Sequence, residues 1–505
     1  MPNITEDTLR LVKTAQATPN ESLMKSFMES TSAISGLTAY DLEAPAKLLY
    51  PVLTPLRNMI PRVGSGQGIQ ANWRAITGIN VTNLSAGVSE GNRGGVTTHT
   101  TQDFLAAYRG LGLEDYATFE ATYAAEGFDD ARARTVEGNL RGLMIQEESV
   151  ILGGNTSMAL GTTPTPTLTA GSSGSLVGTF TLSVICVALS YDGWWQAGGF
   201  NNGYVGTAQS IASLTLEQTL TRVNADGSSD TYNAGLAQKS TNATISITSS
   251  TGNCLASIAA VQGAMGYPWF WGTVGNETLG AITNINSINI KATATGTQLA
   301  STLTASDNSR NALVFDGLLS QVAKSGSGGY YTALATGTAG TGSTLTSDGA
   351  GGIIEIDAAF GTFFDQYRLS PQVIFVNRQQ QKDITNKVIG GGGAPLYRFT
   401  IDATNPGQIN AGSVVGSYLN KVTGDMVEIQ VHPNMPVGTM LFYSRELPYK
   451  LTNVDTVLRM LTRQDYYQIE WPRRSRKYEY GIYVDEVLQN YFPPAFGMIT
   501  NIAAG

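Results

Sequence analysis

The chain has 505 residues, a charged fraction of 14%, a hydrophobic fraction of 42% and a formal net charge of -8. That length allows roughly two to four domains with sizeable cores, and 57 glycines among runs of Thr, Ser and Asn point to β-structure and turns. The acidic balance excludes a protein that wraps nucleic acid over its whole surface, though not one with a single basic face.

Residues 1–61 read as an N-terminal arm. Leu9, Leu11 and Val12 mark one short amphipathic segment, and Leu23, Met24, Phe27 and Met28 a second. Neither is long enough to stand alone as a helix, so both must dock. Pro51, Pro55 and Pro61 then enforce an extended path. Residues 62–112 predict a long β-hairpin. Ile69, Ala71, Trp73 and Ala75 alternate with polar neighbours, Gly87, Gly91, Gly94 and Gly95 lie in the middle, and Phe104, Leu105, Tyr108 and Leu111 return. A ribbon of two strands has too little apolar surface to be stable alone, so it must rest on another chain or move.

A long helix is predicted over Glu126–Leu152, about 40 Å in length. Phe128, Val136, Leu140, Leu143, Met144, Val150 and Ile151 form its apolar stripe; Arg132, Arg134, Arg141, Glu147 and Glu148 form its polar side. Gly153 and Gly154 supply a stop through the left-handed conformation. It is the spine of a segment spanning 113–160.

From 161 to 305 charge falls away and short alternating runs appear, predicting a β-sandwich inserted after the helix. Asp226-Gly227 signals a turn within it. Its two aromatic bends carry Trp194 and Trp195, and Trp269 and Trp271. They read either as an outer binding surface for sugars or partners or as sandwich core. Cys186 and Cys254 lie in its strand-like runs and read as buried thiols rather than a disulfide framework. Residues 306–450 return to mixed α/β, with a helix over Ile356–Tyr367, a strand Val373–Val376, a helix Arg378–Val388 and strands Val427–Val431 and Thr439–Tyr443. Residues 451–505 alternate repeatedly and predict strands laid against the long helix.

A search for chemistry finds no enzyme signature. His99 and His432 are far apart, which argues against a His-based nucleophile. Neither cysteine has a ligand-like neighbour, and the glycine-rich runs lack the Lys-Ser/Thr of a phosphate loop. Glu147-Glu148 and Asp485-Glu486 are adjacent pairs whose side chains point apart, so they read as solvated or salt-bridged faces. No metal or cofactor is expected. The densest positive charge is Arg473, Arg474, Arg476 and Lys477, read as a contact to another subunit in preference to nucleic acid. The N-terminus MPNITEDTLRLVK lacks a signal-peptide layout, no run reaches ~18 apolar residues, so no membrane span is expected, and the chain reads as cytoplasmic at synthesis.

The order of arm, hairpin, spine helix, mixed α/β segment and terminal strands resembles the major capsid proteins of tailed bacteriophages, with their HK-ninety-seven-like α+β fold. The hairpin at 62–112, the helix at 126–152, VEIQVHPNMPVGTMLFY at 427–443 and YVDEVLQNYFPPAFGMITNI at 483–502 carry that resemblance. It implies an icosahedral virion shell of pentamers and hexamers around double-stranded DNA, contacted without sequence specificity. The hairpin becomes an extended loop laid over the adjacent subunit, 306–450 an axial domain, 451–505 peripheral strands, and the sandwich an outward-facing immunoglobulin-like insertion. Portal and separate scaffolding proteins are the implied partners. Some members crosslink loop lysines to neighbours; here no lysine lies between Lys47 and Lys239, so a non-covalent shell is expected. Arg74, Glu90 and Arg93 in the hairpin are expected to meet neighbouring charges, with Glu90 facing Arg473 or Arg476 and Arg474 beside them. Deleting 165–300 is expected to leave an assembling chain. The rival readings are a glycan- or host-surface-binding fibre protein and a hydrolase with a sandwich appendage.

Overall fold

The computed structural model describes residues 52–80, 86–126, 129–198, 211–248, 251–390, 400–401, 409–410, 414–448 and 454–505. The predicted arm therefore lies almost wholly outside the described residues, as does Phe128.

The spine helix runs Ala131–Gly153, about 35 Å at 1.5 Å per residue. It starts later than the apolar period predicts because Asp130 caps it: Oδ1 accepts the N–H groups of Arg132 and Ala133 at 3.0 and 3.1 Å. Just before it, Thr118 caps the short helix Phe119–Ala124 by accepting the Ala121 N–H. The spine's end departs from expectation. Neither Gly153 nor Gly154 is left-handed. They are required by close packing, since a Cβ on Gly153 would lie 2.1 Å from the Tyr191 ring and one on Gly154 would lie 2.4 Å from the Phe315 carbonyl.

The terminal strands lie against the spine, as alternation predicts. Leu458–Glu470 and Lys477–Asn490 pair antiparallel, flanked by Arg62–Gly64, parallel to 460–462, and by Arg109–Thr118 on the other edge. Ile482 and Val484 from this sheet bury Leu143, with Val136, Leu140, Leu111 and Leu113 packed around them. The Asn139 amide donates to the Tyr480 carbonyl at 3.2 Å.

A second, six-stranded sheet has the order 330–333, 497–500, 440–443, 373–376, 426–431, 417–419. Helices Ile354–Tyr367 and Arg378–Gly390 accompany it. The strand Val373–Val376 is wholly buried and carries an unbroken apolar run, as strands covered on both faces do. Phe360, Phe363, Phe442, Phe375, Tyr443 and Phe496 fill its core with ring centroids 5.3–5.9 Å apart. Gly497–Thr500 corrects the expectation for 451–505: it leaves the terminal strands and enters this sheet between 330–333 and 440–443.

Among the described residues the inserted region holds two antiparallel sheets, ordered 287–290, 252–257, 167–176 and 276–283, 267–273, 180–186, 243–247. The strand order is not immunoglobulin-like. That fold pairs its first strand with its second; here the first, 167–176, pairs with the fourth, 252–257. A separate hairpin, Thr219–Val223 with Ser229–Asn233, turns at Asp226-Gly227, with Gly227 at φ 86.

Nor is the insertion an appendage. Asn286 and Asn501, both buried, exchange hydrogen bonds of 2.8 and 3.1 Å. The Tyr191 hydroxyl donates to the Asn434 carbonyl at 3.2 Å. Insertion residues such as Cys186, Trp269 and Ile282 belong to the same buried cluster as Phe442 and Ile499. Deleting 165–300 would open that shared core and orphan these polar groups. Contrary to the sequence expectation, the truncated chain is expected to be insoluble and without a cooperative transition in circular dichroism; a soluble, cooperatively folding remainder would contradict this.

Candidate functional site: a projecting ribbon and its buried anchor

Gln70–Asn80 and Thr98–Ala107 form a two-stranded antiparallel ribbon with Trp73 opposite Phe104, the rings 5.7 Å apart. Near its base Trp73 also meets Tyr491 edge-on at 6.4 Å. Apolar side chains face solvent along its length: Ile69 and Leu105 near the base and Ile76, Ile79 and Val96 towards the tip are 57–83% exposed. Among the described residues no second layer covers this apolar surface, which makes it a candidate contact site.

The predicted contact residues divide. Glu90 and Arg93 lie exposed at the ribbon turn. Arg74 is paired within the ribbon, its Nη2 donating to Asp103 Oδ2 at 2.9 Å, so its charge is already matched in its own subunit. Arg473, Arg474 and Arg476 sit on the exposed turn between the two terminal strands. The Arg473 guanidinium lies 4.5 Å from the Tyr478 ring centroid, and Lys477 lies 4.0 Å from that of Tyr116. Across a cleft from Arg474 is the 224–230 turn of the inserted region. There Asp226 is held below the usual carboxylate range by hydrogen bonds from Ser228, with Arg474 adding to the effect.

The tryptophans correct the reading of an outer aromatic surface. Trp194, Trp269 and Trp271 are buried, Trp195 half-buried. The indole N–H of Trp269 donates to Thr283 and that of Trp271 to the Ala292 carbonyl. The alternating strands face these bulky rings inward, and the rings supply the core of the inserted sheets.

Glu147 also needs correction, together with Glu148. Both are fully buried rather than offered to solvent. Leu143, Glu147 and Ile151 are four residues apart, so helical geometry places Glu147 on the same buried stripe as its apolar neighbours. A buried carboxylate is tolerated only with partners, and here the partners come from the segment that enters the ribbon. Glu148 accepts the N–H groups of Leu56 and Arg57 at 2.9 and 2.7 Å, at the start of the short helix Pro55–Met59. It also meets His432 Nε2 at 2.6 Å. Because His432 Nδ1 accepts the Asn434 N–H at 3.1 Å, Nε2 carries the proton and donates to Glu148.

Glu147 takes the Arg57 Nε at 3.0 Å, together with the Tyr466 hydroxyl and Arg62 Nη1. Arg62 Nη2 continues to Glu486 and Asp465, both at 2.8 Å. The two guanidiniums lie 5.2 and 4.7 Å from the Tyr466 ring centroid. Burial works against the charge on Arg62, but Glu486 and Glu147 outweigh it and push its pKa up. For Glu486, burial and then the Glu147 charge push the carboxyl up to about 8, with Arg62 opposing. Leu56 and Ile60 are buried beside this network, so residues 54–64 are fixed to the spine immediately before the ribbon begins. Arg57, Arg62 and Tyr466 escaped the sequence reading as site residues, and Glu148, His432 and Glu486, though noted there, were not brought together; the available signal was the placement of Glu147-Glu148 just ahead of the apolar Val150-Ile151-Leu152.

No protein-family model matches the chain, and no curated protein matches it. Solved structures similar in chain path include the capsid of a native GTA particle, with 8% identity, 94% of this chain and 100% of the other covered and a TM-score of 0.41. The capsid of Myoviridae phage XM1 has 9% identity, coverages of 91% and 95% and a TM-score of 0.38. Gordonia phage Cozz has 8% identity, coverages of 95% and 99% and a TM-score of 0.39.

Removing the Glu148 carboxylate leaves two buried N–H groups and His432 without their acceptor. Glu148→Ala is expected to cost about 3–5 kcal/mol, the usual consequence of breaking a buried charged contact. Urea unfolding checks this through the midpoint; an unchanged midpoint would show that the anchor contributes nothing.

Proposed function

We propose that the chain is the major capsid protein of a tailed phage, built on an HK-ninety-seven-like fold and self-assembling into an icosahedral shell around double-stranded DNA. The observation that carries the reading is the ribbon. It leaves a firmly anchored root, carries large exposed apolar side chains and, among the described residues, has no layer over them near its tip. A monomer has no use for such a surface; a shell of repeated copies covers it with each neighbour. The spine helix with its antiparallel sheet serves as the peripheral domain, and the six-stranded sheet as the axial domain.

In this reading the Glu90 and Arg93 turn, and the turn bearing Arg473, Arg474 and Arg476, are contacts between copies. The inserted region at 161–305 faces outward. Portal and a separate scaffolding protein complete the assembly, and DNA is enclosed without sequence recognition. The fibre reading is disfavoured by Trp194, Trp269 and Trp271, which face inward and fill the core of the inserted sheets.

Expression, with a co-expressed scaffold where needed, is expected to yield closed particles of megadalton mass in negative-stain electron microscopy. Small soluble species under every assembly condition would overturn the proposal. Boiled particles are expected to run as single-chain bands in denaturing gels, because the ribbon holds no lysine. A ladder of covalent multimers would contradict the non-covalent shell.

A further inference from the structure

The carboxyl groups of Glu147 and Glu486 come from different elements, the spine helix and the strand Lys477–Asn490. Both are fully buried, and they grip opposite nitrogens of one guanidinium, that of Arg62. Each packed element contributes charge or a titratable group. The short helix gives Arg57, the 62–64 strand Arg62, and the strand Leu458–Glu470 gives Asp465 and Tyr466. Glu148 on the spine is occupied by the Leu56 and Arg57 N–H groups and His432. Asp485, beside Glu486, is engaged by Arg463 through its Nε at 2.7 Å.

Arg57, the Tyr466 hydroxyl and Arg62 all donate to Glu147, so that group is well supported as an anion. Glu486 is not. Its Oε2 receives Arg62, while its Oε1 is buried without a partner. A second full negative charge there has one shared cation and no other donor. A carboxylic acid fits the site better: it carries its own proton and leaves Arg62 to Glu147 and the half-exposed Asp465.

We propose that Glu147, Glu486 and Arg62 form a proton-operated latch on the root of the ribbon, closed while the carboxyl pair shares a proton and loosened when both ionise. The latch acts on residues 54–64, because Arg57 and Arg62 are the side chains through which that segment holds Glu147 and Glu486. It belongs to the folded subunit and does not rest on the assembly reading.

The sign follows from burial. A carboxyl raised in the folded state binds its proton more tightly there than in the opened state. Its contribution is complete below the ordinary glutamate range and is lost as pH rises through about 8. Between that range and about 8, protection of the root is expected to fall by up to about tenfold per pH unit beyond the intrinsic exchange rate, one proton being released on opening, and above about 8 it levels off.

The test is hydrogen–deuterium exchange of the intact chain between about pH 5 and 9.5, corrected for intrinsic exchange, with the buried strand Val373–Val376 as internal reference. Amides of 54–64 are expected to lose protection progressively up to about pH 8 and to level off above it, while the reference holds. Glu486→Gln, neutral and still an acceptor for Arg62, is expected to keep the root protected across the range. A flat wild-type profile overturns the latch, as does a pH-dependent loss equal in 54–64 and the reference. If Glu486→Gln does not fold, Glu147→Gln supplies the second reading: removing the neighbouring negative charge is expected to make the loss level off at lower pH, and an unmoved profile would contradict the shared proton.

Discussion

Two adjacent glutamates on the spine helix fix the segment 54–64 from which the ribbon leaves. Burying Glu147 and Glu148 would be prohibitive without partners, so the chain must bring Arg57, Arg62, Tyr466, His432 and two backbone N–H groups to the same place. These come from residues 56–62, from His432 and from Tyr466, and the latter two lie hundreds of residues beyond the first. Apolar contacts alone would tolerate sliding; charged hydrogen bonds in a dry site have one satisfactory arrangement. The consequence is directional: the segment entering the ribbon is fixed against the spine, and the ribbon leaves from a defined root.

Beyond that root the balance reverses. The ribbon has strong cross-strand pairing at its base, where Trp73 stacks on Phe104, and an exposed apolar surface towards its tip. A rigid base with an unsatisfied end suits a part completed by another molecule. The inserted region shows the opposite economy. Its tryptophans, asparagines and Tyr191 are spent inward, on the core it shares with the spine end and the six-stranded sheet. It is part of the subunit's frame, whatever its outer face meets.

The sequence disclosed the elements well where one periodicity dominated. The strand Val373–Val376 is recovered residue for residue, and the helices Ile354–Tyr367 and Arg378–Gly390 to within two residues at each end. The two-residue alternation marked the ribbon strands and the terminal pair. What failed did so for tertiary reasons. Residue type suggested a polar helix face for Glu147 and Glu148, but their partners lie at Arg57, Arg62 and His432, invisible to any local window. Gly153 and Gly154 looked like a helix stop, but their small size serves the approach of Tyr191 and Phe315. Alternation revealed the inserted strands but not their pairing order, because the register of one strand against another depends on long-range packing. The ribbon itself was legible in its alternation; its anchor was not.

The central claim is that the ribbon is held at its root by its own chain and completed towards its tip by another copy. Hydrogen exchange compared between dissociated subunits and assembled particles tests it most directly. The account expects amides of Gln70–Asn80 and Thr98–Ala107 to gain protection on assembly, while those of 54–64 are already protected in the subunit. Ribbon exchange unchanged between the two states would contradict it.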